Sequence, residues 1–429
     1  MPPRRTVKLD PMSLYDDLMW RGLIAHCTDP EDLKRDLDHG SITFYVGFDP
    51  TAPSLHMGNL LQLVTARRLQ DAGHRPILLV GGSTGLIGDP RQTSERNLNP
   101  VDVVHGWVER IRSQVSKYVD FDGDNGAILV NNYDWTAEMP VLDFLRDIGK
   151  HFSVNRMLDR EVVKTRLESG ISYTEFSYVL LQSLDYLELH RRYGATLQTG
   201  GSDQWGNITA GVELIRRVTG DKVQAMSTPL ITKADGTKYG KTESGTLWLD
   251  PQMTSPYAFH QFFLNAEDSM VGGYLRVFTR RSHEEIEELE RQTLEAPHLR
   301  AAQRALADDL TDLVHGVDQR VAATAAASAI FGQGDLRALD SATLDGVVRE
   351  LPTVEWERLE GRTVLDALSE SAIFDSKSAV RRAVKEGGAY LNNERVTDPD
   401  REVSDDDLLC GHVMIIRRGK KTLSAVRVD

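Results

Sequence analysis

YVGFDPTAPSLHMGN, residues 45–59, sits between an apolar run and an amphipathic one. Before it, Ile42, Phe44 and Val46 alternate with Thr43 and Tyr45, the spacing of a strand. Within it, Pro50, Pro53 and Gly58 mark a turn, and after it Leu60, Leu61, Leu63, Val64 and Leu69 recur at helical spacing over 58–72. PILLV, residues 76–80, then reads as a strand buried on both faces, which completes a β-α-β unit. In an open parallel sheet such a strand-to-helix junction carries ligands, because the first helical turn offers unpaired N–H groups and positive potential to phosphate.

Three further loops are expected at the same sheet edge. GGSTGLIGDPRQTSERN (81–97) follows the second strand, a helix over 101–118 and a strand over 127–130 deliver NNYDW (131–135), and a strand at 196–198 leads to GGSDQWGN (200–207). The order predicts a Rossmann-type, doubly wound parallel α/β sheet. Two helices at the start of the chain, the second with Pro30 at its first position, are expected to cover the sheet edge. Residues 141–158 read as a helical insertion that offers a dimer contact. From Tyr173 the period is strongly helical, and Tyr178, Gln182 and Asp185, spaced by four and three, share one face.

Beyond the sheet, TKADGTKYGKTESGT (232–246) is polar, glycine-rich and carries three lysines. The expected organisation is a catalytic domain over 1–250, an all-helical domain over 251–345, a linker over 346–361 and a small α+β domain over 362–429. The last has a helix with Arg381, Arg382 and Lys385 on one face and a hairpin crowded by Arg417, Arg418, Lys420 and Lys421. These residues read either as a solvated charged face or as an RNA-backbone contact.

Composition narrows the class. The chain has 429 residues and a formal net charge of −14, so nucleic-acid contact must be local. No apolar run approaches the roughly 18 residues of a membrane span, and the basic N-terminal residues lack a following apolar segment, so a cytosolic protein is expected. Two distant cysteines, Cys27 and Cys410, support neither a disulfide framework nor a zinc site, and no protein-held metal is expected.

GFDPTAPSLHMGN, VGGSTGLIGDP, TEFSYVLLQSLDY, GGSDQWGNIT and KYGKT, in this order, resemble the signature stretches of the bacterial tyrosyl-tRNA synthetases, which are class I aminoacyl-tRNA synthetases. The first corresponds to that family's HIGH region and the last to its KMSKS loop, and the resemblance runs nearly full length. It implies a Rossmann-type catalytic domain, a helical anticodon-recognition domain and a C-terminal RNA-binding domain similar to ribosomal protein S-four. It further implies L-tyrosine, ATP with its magnesium and tRNA(Tyr) as substrates, and a homodimer.

By the same resemblance, Tyr45 and Asp185 meet the phenol hydroxyl of tyrosine, Tyr178, Gln182 and Asp89 hold its α-ammonium, and Asp49 and Gln204 lie near the amino acid and adenylate. Thr51, His56 and Asn59 contact ATP phosphates or ribose, Gly58 and Gly201 admit adenosine, Asp203 meets the ribose, and Lys238, Lys241 and Thr242 clamp pyrophosphate. Two departures stand out: Asn59 replaces the last His of HIGH, and KYGKT replaces KMSKS while keeping both lysines. Competing readings are a synthetase-derived RNA binder without activity, and another class I enzyme such as a tryptophanyl synthetase or a small-molecule nucleotidyltransferase. The intact set of polar pocket residues argues against the first. Tyr45 with Asp185, together with two RNA-directed domains, argues against the second.

Overall fold

A computed structural model describes residues 12–90, 98–242 and 245–428. It divides into two compact units: Met1–Leu249 with Gly272–Glu288, and Asp250–Val271 with Leu289–Asp429. The chain leaves the first unit after Leu249, and residues 272–288 return to it. The reason is side-chain chemistry: Tyr274 stacks on Tyr239 with ring centroids 3.9 Å apart, and His283 bonds Asp17 at 2.7 Å while stacking on Trp20.

The first unit is built on a six-stranded sheet: β1 (His26–Cys27), β2 (Thr43–Phe48), β3 (Arg75–Val80), β4 (Ile128–Asn131), β5 (Ala195–Gly201) and β6 (Gln224–Thr228). Their spatial order is β1-β6-β5-β2-β3-β4, parallel throughout except for the β1 edge. The chain builds β2, β3 and β4 outward in one direction, then returns to place β5 on the other side of β2. The crevice between β2 and β5 is thus the switch point, where two helices depart to opposite faces. The β1 and β6 strands were not legible as strands, since β1 has only two residues and β6 is a short mixed run, QAMST.

The Tyr173–Tyr193 helix lies across the sheet with Leu184, Tyr186, Leu187 and Leu189 fully buried among Tyr45, Ile77 and Leu79. Ser172 caps its start through Glu175 N, and Gly194 ends it in the left-handed conformation. Residues 141–158 form short helical segments, Val141–Asp143, Phe144–Ile148, Gly149–His151 and Val154–Leu158. The 91–97 part of the second expected loop lies outside the described residues.

In the second unit, helices Pro256–Leu264, Ala301–His315, Val317–Ile330 and Ser341–Val348 precede a five-stranded sheet. The stretch expected as a linker is ordered. Val347 and Val348 are buried, and Thr353–Trp356 pairs in parallel with Thr422–Val428 as an edge of that sheet. Its breakers, Pro352 and Gly361, bound a strand rather than mark a tether. The helices and the sheet share one core, in which Ala323, Ala326, Leu344 and Val347 pack with Val413, Ile415 and Ala425.

Candidate active site

Four loops leave the carboxyl ends of β2, β3, β4 and β5 and converge on the switch point. From β2 comes Asp49, from β3 Thr84 and Asp89, from β4 Asn132 and Trp135, and from β5 Asp203 and Gln204. The Tyr173–Tyr193 helix supplies Tyr178, Gln182 and Asp185 from one face.

Asp185 is 3 % exposed, and both its oxygens are held: Asn132 Nδ2 donates to Oδ2 at 3.0 Å and Trp135 Nε1 to Oδ1 at 2.9 Å. Burial pushes its carboxyl up to about 7, against the pull of those two donors. Tyr45, on β2, is 1 % exposed, and its hydroxyl has no protein partner. Burial, and next the Asp185 charge, raise the Tyr45 phenol well above its ordinary range. A buried hydroxyl without a partner costs about 1–3 kcal/mol, which a ligand with a phenol would recover.

A second group surrounds Asp49. Tyr178 donates to its Oδ2 at 2.6 Å and Thr84 to its Oδ1 at 2.6 Å, and Asn132 donates in turn to Thr84 Oγ1 at 3.0 Å. The network thus connects Asp49 to Asp185 through neutral side chains. Gly81 is required here, because a Cβ would fall inside contact distance of Asp49 Oδ1 and Thr84 Oγ1. The third group is Asp89: Gln204 Nε2 donates to Oδ2 at 2.7 Å and Asn207 Nδ2 to Oδ1 at 3.1 Å. Nearby, Gln182 Oε1 is buried without a partner, an acceptor suited to an ammonium group.

A further cluster lies at the start of the Met57–Asp71 helix. His56 Nδ1 accepts from Gly58 N at 3.1 Å, and Asn59 Oδ1 accepts from His56 N at 3.1 Å, a reciprocal cap. With Nδ1 accepting, a neutral His56 ring carries its proton on Nε2 and can donate it outward. Asn59 likewise spends its oxygen on the cap and keeps its NH2 as a donor, so the change from His retains donor chemistry. Thr51 and Gly58 are exposed, and Gly201 lets the Asp203 carboxylate fold back over its backbone, since a Cβ there would lie 2.6 Å from Asp203 Oδ1.

KYGKT forms a hairpin arm, with Lys241–Thr242 (β7) paired to Gly245–Thr246 (β8). Lys238 is exposed. Gly240, at φ +87°, packs its backbone against Met57, where a Cβ would lie 2.6 Å from the Met57 Cβ. Leu249 N bonds Leu55 O at 2.9 Å, so the arm is tied directly to the HIGH-like turn. The roles assigned to the side chains of Lys241 and Thr242 fall outside what the structure describes.

In the second unit the expected basic patch is thinner than its sequence. Arg381 forms a two-pronged pair with Asp400 at 2.6 and 2.7 Å. Arg417 is buried over the Tyr390 ring at 3.9 Å, and Arg418 donates to Ile373 O at 3.1 Å. Arg382, Lys385, Lys420 and Lys421 are exposed.

Sequence reading missed Thr84, Asn132, Trp135 and Asn207. The available signal was NNYDW directly after an apolar strand on the ligand edge.

A parallel sheet with this switch point, a capped HIGH-like turn and a glycine-rich lysine arm defines a class I synthetase core. Residues 37–332 match the family model described as tRNA synthetases class I (W and Y), and residues 344–426 match the tyrosine–tRNA ligase SYY-like C-terminal domain. The tyrosine–tRNA ligase of Cutibacterium acnes is 65% identical over 96% of this chain and 99% of its own length. That of Streptomyces avermitilis is 59% identical over 97% and 99%. Among solved structures, a C-terminally truncated mitochondrial tyrosyl-tRNA synthetase of Aspergillus nidulans superposes with a TM-score of 0.65 at 31% identity, covering 73% of this chain and 92% of that one. The chain therefore belongs to the tyrosine–tRNA ligases within the class I tRNA synthetases.

Proposed function

We propose that this protein attaches L-tyrosine to tRNA(Tyr) in two steps, through a tyrosyl-adenylate, with release of pyrophosphate and then AMP. The observation that carries the choice of amino acid is the buried, unpartnered Tyr45 hydroxyl beside the anchored carboxylate of Asp185. The substrate phenol donates to Asp185 and accepts from Tyr45. Phenylalanine would leave the buried Tyr45 hydroxyl unpaired and bring no donor to Asp185.

The α-ammonium lies among Asp89, Gln182 and Tyr178, which leaves the substrate carboxylate facing the nucleotide. That carboxylate is ionised near neutral pH and attacks the α-phosphorus without a general base. The residues act by position and charge: the positive helix start at Met57–Asp71, His56 Nε2–H and the Asn59 amide stabilise the phosphoryl oxygens, and Asp203 and Gly201 seat the ribose and adenine. Lys238, Lys241 and Thr242 close on the departing pyrophosphate. Magnesium enters as the counter-ion of ATP. In the second step a terminal hydroxyl of the transfer RNA attacks the activated carbonyl carbon, and AMP leaves.

The active form is a cytoplasmic homodimer. Val141 and Leu142, 68% and 74% exposed, with Leu145 and Val154, leave the helical insertion with an apolar face that suits a second copy. Among the described residues, no helix is long and apolar enough to cross a membrane. The helical region binds the anticodon, and the exposed Arg382, Lys385, Lys420 and Lys421 contact the RNA backbone. Charging of tRNA(Tyr) with labelled tyrosine tests the whole reading; a protein that forms adenylate yet charges no transfer RNA contradicts it.

A further inference from the structure

Arg160 belongs to no motif, yet its guanidinium is directed into the amino-acid site. Its backbone is fixed at the start of the Glu161–Lys164 helix, where its carbonyl accepts from Val163 N at 2.9 Å and Lys164 N at 2.8 Å. Its Nη2 donates to Oδ1 of Asn207, a side chain that is 2 % exposed. With that oxygen engaged, Asn207 can present only N–H to the pocket. Nδ2 donates to Asp89 Oδ1 at 3.1 Å and to Gln204 Oε1 at 2.9 Å, while Gln204 Nε2 donates to Asp89 Oδ2 at 2.7 Å. The three side chains form a closed ring: the Asp89 carboxylate accepts from both amides, and Arg160 supplies the donor that the Asn207 oxygen needs.

We propose that Arg160 is a positioning residue for the substrate α-ammonium, acting through Asn207 to orient the Asp89 carboxylate. The inference rests on the reading that Asp89 receives that ammonium. Without the guanidinium, the Asn207 oxygen is left buried with no donor, so the amide shifts to find one and its bonds to Asp89 and Gln204 loosen. The effect is selective by chemistry: it weakens binding of the amine and leaves the phenol end untouched.

The test is tyrosine-dependent ATP–pyrophosphate exchange in the full chain with Arg160→Met and Arg160→Lys. Inhibition is measured with tyramine, which keeps the amine, and with 3-(4-hydroxyphenyl)propionate, which lacks it. Arg160→Met is expected to raise KM for tyrosine and the tyramine inhibition constant by about tenfold, the value of one charged hydrogen bond. Its kcat, KM for ATP and inhibition by the propionate should stay unchanged, and Arg160→Lys should recover part of the loss. Should the Met variant fail to fold, Asn207→Asp, which keeps a partner for Arg160 but sets an oxygen against Asp89, is expected to show the same selective loss. Equal weakening of both inhibitors, or an unchanged KM for tyrosine, overturns the proposal. A wild-type protein without tyrosine-dependent exchange strikes the proposed function itself.

Discussion

Trp135 donates its indole N–H to Asp185 at 2.9 Å, so a carboxylate buried in the sheet–helix core keeps a fixed direction. Burial raises this group from 3.8 to about 7. Between those values the folded protein holds a proton that the unfolded chain has released, so this carboxyl costs stability progressively as pH rises and costs most above about 7. Asp185→Asn removes that dependence. Relative to the wild type, the variant should gain at about pH 8 compared with about pH 5, by on the order of 1 kcal/mol or more, read as a difference of Tm shifts in the tyrosine-free protein. A Tm difference independent of pH would contradict the burial argument.

Tyr45→Phe removes a hydroxyl that bonds nothing in the protein. Folding stability should therefore stay within about 0.5 kcal/mol of wild type or rise. Discrimination between tyrosine and phenylalanine in the exchange assay should fall by about tenfold or more, the cost of one buried unpaired partner. A large loss of Tm with discrimination intact would assign Tyr45 to packing alone.

At Gly81 a methyl group would collide with Asp49 and Thr84, both already fixed by hydrogen bonds. Gly81→Ala should displace Asp49 and lower kcat/KM for tyrosine by at least about tenfold while the protein remains folded by circular dichroism. Unchanged kinetics would show that the Asp49 position is not needed.

The KYGKT arm is braced where Tyr239 stacks on Tyr274, whose hydroxyl donates to Thr232 O at 2.8 Å. Tyr274→Ala should raise KM for ATP and slow exchange by several-fold, about the 1 kcal/mol of an aromatic pair, with the dissociation constant of tyrosine unchanged. Tyr274→Phe, which keeps the stack, should retain most of the activity.

Legibility from sequence followed the physics of each element. The β2 strand, the Met57–Asp71 helix and the Tyr173–Tyr193 helix carry long periodic patterns, and their ends carry caps, so both the sheet and the positions of Tyr45, His56 and Asp185 could be read. The residues that orient the carboxylates could not: Asn132, Trp135, Thr84 and Asn207 act through tertiary hydrogen bonds that no local period encodes. Residues 346–361 misled for a related reason. Pro352 and Gly361 break helical patterning, yet the strand between them is stabilised by pairing with Thr422–Val428, far away in sequence.

That shared packing in the second unit has a consequence for truncation. Removing residues 362–428 takes Val413, Ile415 and Ala425 away from Ala323, Ala326 and Val347. The shortened chain should bind a hydrophobic dye and unfold at a lower temperature, while tyrosine-dependent exchange persists in the first unit. An unfolding profile identical to the full chain would show that the core is not shared.

In the proposed function, the Tyr45 and Asp185 pocket selects tyrosine for activation by ATP. The most direct test is ATP–pyrophosphate exchange by the intact protein with tyrosine, phenylalanine or tryptophan as the only amino acid, repeated with Asp185→Ala. Exchange with tyrosine alone, abolished in the variant, is the predicted result. Exchange supported equally by phenylalanine or tryptophan, or undiminished in Asp185→Ala, would contradict it.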